Sequence, residues 1–203
     1  NISRKGLSAE PSEEAVEKAA RGPAFSDMDG HWANTYAEYL YDRGIITGRI
    51  SKEKRIFEAD KNITREEFSA VMVRWLGVDT AKYEDQKLSF KDNTKIENWA
   101  LPSVKAAYAL GFMTGKNIKG ELYFDPKGSI TRQEAMTVIG RMQKKGYGEP
   151  ELDFKDAVKV EAWALPYVKT LVHQGVISGM NGNVEPLGKV TRGQVAKMIF
   201  SLD

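Results

Sequence analysis

Phe90-Lys91-Asp92, Trp99-Ala100, Gly111-Phe112-Met113-Thr114-Gly115, Phe124-Asp125-Pro126 and Ile130-Thr131-Arg132-Gln133-Glu134 follow one another through the middle of the chain. This string decides the fold because it occurs three times. The upstream copy reads Phe25-Ser26-Asp27, Trp32-Ala33, Gly44-Ile45-Ile46-Thr47-Gly48, Phe57 and Ile63-Thr64-Arg65-Glu66-Glu67. The downstream copy reads Phe154-Lys155-Asp156, Trp163-Ala164, Gly175-Val176-Ile177-Ser178-Gly179, Glu185-Pro186 and Val190-Thr191-Arg192-Gly193-Gln194. In each copy the tryptophan precedes the first glycine by 12 positions, and the two glycines stand four apart. Internal self-similarity of this kind outranks any local signal in reading a fold.

Working outward from the repeated string, each copy reads as helix, loop, helix. The first helix starts near the tryptophan, tolerates Pro102 or Pro166 in its first turn, and stops at the first glycine. The second helix opens on Thr64, Thr131 or Thr191, each followed three residues later by Glu67, Glu134 or Gln194. That spacing is a capping box, in which two side chains satisfy otherwise unpaired helix-start N–H groups. Ile63, Ile130 and Val190 stand just before the caps, placed to staple onto Phe68, Ala135 and Val195. The apolar stripe then runs Phe68, Val71, Met72, Trp75; Ala135, Val138, Ile139, Met142; and Val195, Met198, Ile199, Leu202, which gives one buried face per helix. A lone helix pair buries too little surface to stand alone. The sequence therefore predicts an all-α chain of three helix-loop-helix repeats meeting around an approximate threefold axis, one cooperative body with three lobes and three grooves. Repeat one is assigned to 25–79, repeat two to 88–148 and repeat three to 152–203. Residues 1–24 form a polar extension in which a short helix through Ala20 is expected.

Composition narrows the function. The 203 residues include 30 basic and 28 acidic side chains, a near-neutral balance that argues against a nucleic-acid partner bound through a generic basic surface. The absence of cysteine excludes disulfides, thiolate metal sites and a cysteine nucleophile. No apolar run reaches membrane-spanning length, so no membrane insertion is expected. The chain begins at Asn1 without a signal-peptide pattern and reads as a piece of something longer. His31 and His173 are isolated, so neither a metal nor another cofactor is expected. Asp27-Met28-Asp29-Gly30 lacks the later ligands of a calcium loop. Nothing marks a catalytic pair, nucleophile elbow or phosphate loop, and the chain is read as a non-enzyme.

Arg65, Arg132 and Arg192 carry the functional signal. Each follows a capping threonine, where the helix dipole mildly disfavours a cation by about 0.3–1 kcal/mol. One reading makes the guanidinium and free helix-start N–H groups a site for a carboxylate or phosphate. The other makes it one half of an internal salt bridge, to Glu66 or to an acidic residue of the neighbouring repeat. On the first reading, removing the charge leaves stability almost unchanged. Trp32, Trp99 and Trp163 are placed either to stack on a sugar ring or to pack at the base of a lobe. Gly48, Gly115 and Gly179 supply turns, and their bare backbone admits a ligand. Lys61, Lys127 and Lys189 read as solvated loop lysines.

Phe-x-Asp, Trp-Ala, Gly-(Ile/Val)-Ile-x-Gly, Phe-x-Pro and (Ile/Val)-Thr-Arg-x-Glu together resemble the S-layer homology family, over residues 25–203. The resemblance implies a three-pronged spindle around a central three-helix bundle. It implies an extracellular cell-wall anchor, monomeric as an isolated module, that binds a secondary cell-wall polysaccharide carrying pyruvate ketals. The family's Thr-Arg-Ala-Glu motif, whose arginine meets the acidic ligand, falls on Thr64-Arg65-Glu66-Glu67, Thr131-Arg132-Gln133-Glu134 and Thr191-Arg192-Gly193-Gln194. Ala59 stands where a proline is expected and Val184 where an aromatic is expected. Repeat three also carries Gly193 and Gln194 and a loop four residues shorter. These departures set Arg65 and Arg132 above Arg192 as ligand contacts. A protein-assembly module making lattice contacts is the alternative function.

Overall fold

The caps and apolar stripes produce two helices per repeat in the computed structural model, which describes residues 22–142 and 151–202. Repeat one forms α1 (Asn34–Asp42) and α2 (Arg65–Trp75). Repeat two forms α3 (Leu101–Ala109) and α4 (Arg132–Met142), and repeat three α5 (Leu165–His173) and α6 (Arg192–Phe200). The expected helix through Ala20, and parts of the expected spans of repeats two and three, lie outside the described residues. Capping boxes open all three second helices. In α2 the Glu67 N–H donates to the Thr64 hydroxyl at 3.3 Å and the Thr64 N–H to the Glu67 carboxylate at 3.0 Å. Thr131 with Glu134 and Thr191 with Gln194 repeat the pattern. Phe68, Met72, Ala135, Ile139, Val195 and Ile199 are buried as the stripe predicts, while Val71, Trp75, Met142 and Leu202 are only partly covered.

The all-α expectation needs correction. In repeat one, β1 (Arg49–Ser51) pairs antiparallel with β2 (Lys54–Ile56); in repeat two, β3 (Lys116–Ile118) pairs with β4 (Glu121–Tyr123). Their two-residue turns hold Lys52 and Glu53 at φ 47° and 65°, and Lys119 and Gly120 at φ 54° and 85°. Such turns match strand twist but are normally announced by Asn-Gly or Asp-Gly, which is why Lys52-Glu53 gave no hairpin signal. Repeat three, with its shorter loop, keeps only the Met180–Asn183 bridge.

Below each loop an aspartate of the Phe-x-Asp string grips the chain. Asp92 accepts from the N–H groups of Phe124 and Asp125, both at 2.8 Å. Asp27 does the same for Phe57 and Glu58, and Asp156 for Val184 and Glu185. Glu58, Asp125 and Glu185 sit at φ 58°, 57° and 53°, so the clamp holds a backbone turn that L-residues otherwise avoid.

The repeats close on one another cyclically. Packing pairs α2 with α3, α4 with α5, and α6 with α1. A Cβ added to Gly140 on α4 would lie 2.7 Å from the Tyr167 Cβ on α5, and Tyr36 and Tyr39 of α1 bring their rings within 5.1 and 4.7 Å of Phe200 on α6. At the centre the residues before the three caps form a ring of backbone hydrogen bonds. Ile63 N–H donates to Val190 C=O at 3.1 Å, Val190 N–H to Ile130 C=O at 3.2 Å, and Ile130 N–H to Ile63 C=O at 3.3 Å. One contiguous apolar core draws on all three repeats.

Candidate functional site

The motif arginines open α2, α4 and α6, but the N–H groups beside them are already taken. Arg65 and Glu66 donate their N–H groups to the carbonyls of Gly128 and Pro126 in repeat two. Arg132 and Gln133 donate to Gly188 and Pro186 in repeat three, and Arg192 and Gly193 to Lys61 and Ala59 in repeat one. With the threonine caps engaging the next N–H group, no free helix-start donors remain in the first turn to hold an anion. That part of the sequence reading is corrected. Each helix start is instead docked onto the loop of the following repeat.

Three grooves lie between the repeats. The first, about 460 Å³, is lined by Arg192, Gly48 and Trp99 among others. The second, about 330 Å³, is lined by Arg65, Gly115 and Trp163, and the third, about 220 Å³, by Arg132, Gly179 and Trp32. The nine candidate residues therefore sort into three sets. Each set takes its arginine, glycine and tryptophan from three different repeats.

The arginines are not alike. Arg65 is buried and fully engaged: Nε donates to Phe124 C=O at 2.7 Å, one terminal nitrogen to Thr114 C=O at 2.8 Å, and the other to the Glu134 carboxylate at 3.1 Å. Its guanidinium also lies 5.4 Å from the Phe124 ring. Burial lowers its pKa, and the carboxylates of Glu134, Asp125 and Asp92 offset that in part. Arg192 meets the Glu67 carboxylate at 3.1 Å and lies 5.3 Å from the Phe57 ring. The internal salt bridge to a neighbouring repeat is thus present for these two. Arg132 is the exception, because its ring and acid positions are filled by Val184 and Gln194. Its one hydrogen bond among the described residues runs from Nε to Val184 C=O at 3.0 Å.

The tryptophans stand half-exposed at the grooves. Trp32, Trp99 and Trp163 are 52%, 51% and 45% exposed, so each offers part of an indole to its groove. Trp32 also packs on the start of α6, where a Cβ on Gly193 would lie 3.2 Å from its Cζ2 and 3.0 Å from the Ala33 Cβ. Gly193 therefore packs closely against both side chains. Gly48, Gly115 and Gly179 sit against the phenylalanines of the Phe-x-Asp string: an added Cβ would come within 2.6 Å of Phe25, 2.7 Å of Phe90 and 2.4 Å of Phe154. Lys127 is not simply solvated, since it bridges Glu66 and Glu97 and its pKa is raised by those hydrogen bonds.

The model of the S-layer homology domain matches the chain three times, at residues 24–69, 89–136 and 153–196. The chain belongs to the S-layer homology domain family. As an S-layer homology array it resembles the S-layer protein sap of Bacillus anthracis, with 30% identity over 91% of this chain and 22% of that protein. It is likewise 30% identical to the exoglucanase XynX of Acetivibrio thermocellus over 88% of this chain and 16% of the enzyme. The cellulosome-anchoring protein of the same species is 32% identical over 71% of this chain and 32% of its own length. The chain thus spans a third or less of these relatives. Membership of the family places it at the bacterial cell surface. No described helix is long and apolar enough to cross a membrane.

Sequence reasoning missed several residues of the S-layer homology grooves. Arg74 and Arg141 stand over the first and second, and Lys197 over the third. The aspartates that shape the loops were visible only as a recurring letter. Their signal was the threefold Phe-x-Asp itself, read as a marker and not as a hydrogen-bonding device.

Proposed function

We propose that this chain is a non-catalytic anchor that holds its parent protein to the cell wall by binding an acidic, pyruvylated secondary cell-wall polysaccharide in the grooves between its S-layer homology repeats. Family membership carries the anchoring, and the same repeats recur in surface-layer proteins, in glycosidases and in a protein named for anchoring the cellulosome. The observation that carries the carbohydrate reading is the threefold convergence of a guanidinium, a crowded glycine turn and a half-exposed indole. An indole face matches the C–H side of a pyranose, and an arginine fork suits a ketal carboxylate. The cyclic helix pairing supports a three-pronged spindle around α2, α4 and α6, monomeric as an isolated module. Repeats at 25–79, 88–148 and 152–203 belong to the same reading.

The test is co-sedimentation with purified sacculi of the source organism before and after mild acid, which strips ketals. Binding to untreated sacculi and its loss after acid is the expected outcome. Equal binding to both would remove the ketal from the proposal, and no binding to either would remove the polymer. As a non-enzyme, the pure chain releases no soluble sugar from the polymer; turnover abolished by a point substitution in this chain would overturn that half.

A further inference from the structure

Repeat one reaches its tryptophan by a shorter path than the other two. Five positions take Asp27 to Trp32, against seven from Asp92 to Trp99 and from Asp156 to Trp163. In the longer repeats the alanine after the tryptophan gives its N–H to a backbone acceptor. Ala100 donates to Glu97 C=O and Ala164 to Glu161 C=O, both at 2.9 Å. In repeat one a side chain takes over that duty: the buried Ala33 donates its N–H to Nδ1 of the His31 ring at 3.1 Å. A ring nitrogen that accepts carries no proton, so the proton of the neutral imidazole sits on Nε2, which faces the Asp60 carboxylate at 3.3 Å. The bond from residue 33 back to residue 31 brackets Trp32 and fixes the backbone from which its indole projects. That indole lines the third groove, and its Cζ2 packs on Gly193 at the start of α6, where the last repeat closes on the first.

We propose that His31 is a positioning residue for the third groove, and that its protonation releases Trp32 and weakens the hold of that groove on the wall polymer; this rests on the anchoring reading above. A second proton on the imidazole goes to Nδ1, where it confronts the Ala33 N–H. A buried donor then has no acceptor, and two donors point at each other. Asp60 attracts the imidazolium, but its side chain is 81% exposed and that attraction is screened. Asp60 is the one charged partner of this ring among the described residues. α6 meets the same corner through the uncharged Gly193, and its Lys197 lines the groove beside Trp32. The His31 side chain is 20% exposed, so a proton reaches it from solvent. Trp99 and Trp163, the indoles of the first and second grooves, follow Asn98 and Ala162, and neither has an imidazole before it.

The experiment compares the full chain with His31→Asn and His31→Ala, each checked for folding by denaturant unfolding, between about pH 7.5 and about pH 5.5, where an imidazole changes charge and ordinary carboxylates stay ionised. The Oδ1 of an asparagine at position 31 stands where Nδ1 stands and accepts from Ala33 without titrating, whereas alanine offers no acceptor. Two quantities are read: protection of the Ala33 amide from hydrogen exchange by NMR, and co-sedimentation with untreated sacculi. In the parent, protection at Ala33 is expected to be lost toward the acid end, with affinity falling roughly three- to tenfold. His31→Asn is expected to keep both across the range, and His31→Ala to show the weakened values throughout. If His31→Asn follows the parent's pH profile, or His31→Ala matches the parent near pH 7.5, the positioning role fails while the anchoring reading stands on the parent's binding. If the parent binds sacculi at neither pH, the anchoring reading and the polymer half of this proposal fall together, and the Ala33 exchange alone decides whether His31 holds the backbone at Trp32.

Discussion

At the scale of single residues, one motif position does three different jobs. Arg65 behaves as a structural strut, since its three nitrogens satisfy the buried Phe124 carbonyl, the partly covered Thr114 carbonyl and a carboxylate. Removing it orphans all three acceptors. Arg65→Ala is therefore expected to lower unfolding stability by about 3 kcal/mol, and Arg132→Ala, which frees a single carbonyl, by only roughly 1 kcal/mol. Urea titrations of the two variants side by side check this; equal losses would mean the hydrogen-bond difference is energetically idle. Gln194 lines the groove of Arg132, one repeat back, and not that of the Arg192 of its own motif. Glu58 gives a pH dependence. The Arg49 hydrogen bond, and then the nearby cations Lys61, Arg49 and Arg192, depress its pKa below the ordinary carboxylate range against the opposing effect of burial. A carboxyl depressed on folding contributes stability that is present above its unfolded pKa and is lost as pH falls through the folded one. Glu58→Gln should therefore be less stable than the parent at neutral pH, and the gap should close as titrations are carried into acid, below the ordinary glutamate range. A gap that widens in acid would refute the assignment. The effect is small because the pair is partly solvated.

At the scale of elements, the aspartate clamps matter more than the helix caps that were easier to see. Thr131→Ala removes one capping acceptor from α4 and is expected to cost about 1 kcal/mol. Asp92→Ala orphans the N–H groups of Phe124 and Asp125, beside a residue at φ 57°, and releases the turn that carries the Arg65 acceptor. Its expected cost is roughly 2–4 kcal/mol, read by the same denaturant titration. A loss no larger than that of Thr131→Ala would show the turn to be held by other means. The hairpins are secondary in this scheme, since repeat three builds its groove with a single bridge in place of one.

At the scale of the whole molecule, closure is the stabilising device. Each second helix finds its partner in the next repeat, and the last returns to the first, so no repeat buries its own stripe alone. The full chain is expected to unfold in one denaturant transition. Removing residues 152–203 strips α6 from α1 and breaks two of the three ring hydrogen bonds, at Ile63 N–H and Ile130 C=O. The truncated chain is expected to lose cooperative unfolding altogether, monitored by circular dichroism. A sharp transition surviving in the truncated form would show two repeats to be self-sufficient.

Local rules wrote much of this into the sequence. The repeat, the six described helices, their caps and their buried faces follow from i, i+3 and i, i+4 spacing, which links residues one turn apart. The nine groove residues were legible for the same reason: each is marked within its own copy. Their grouping was not. Arg65 and Glu134 are 69 residues apart and Arg192 and Glu67 are 125 apart, and no periodicity within a repeat connects them. Only the cyclic closure of three helix pairs sets an arginine from one repeat beside a glycine from a second and a tryptophan from a third. It is also closure that carries the Gln194 substitution into the environment of Arg132, because a charge acts on what packs against it and not on what precedes it in the chain.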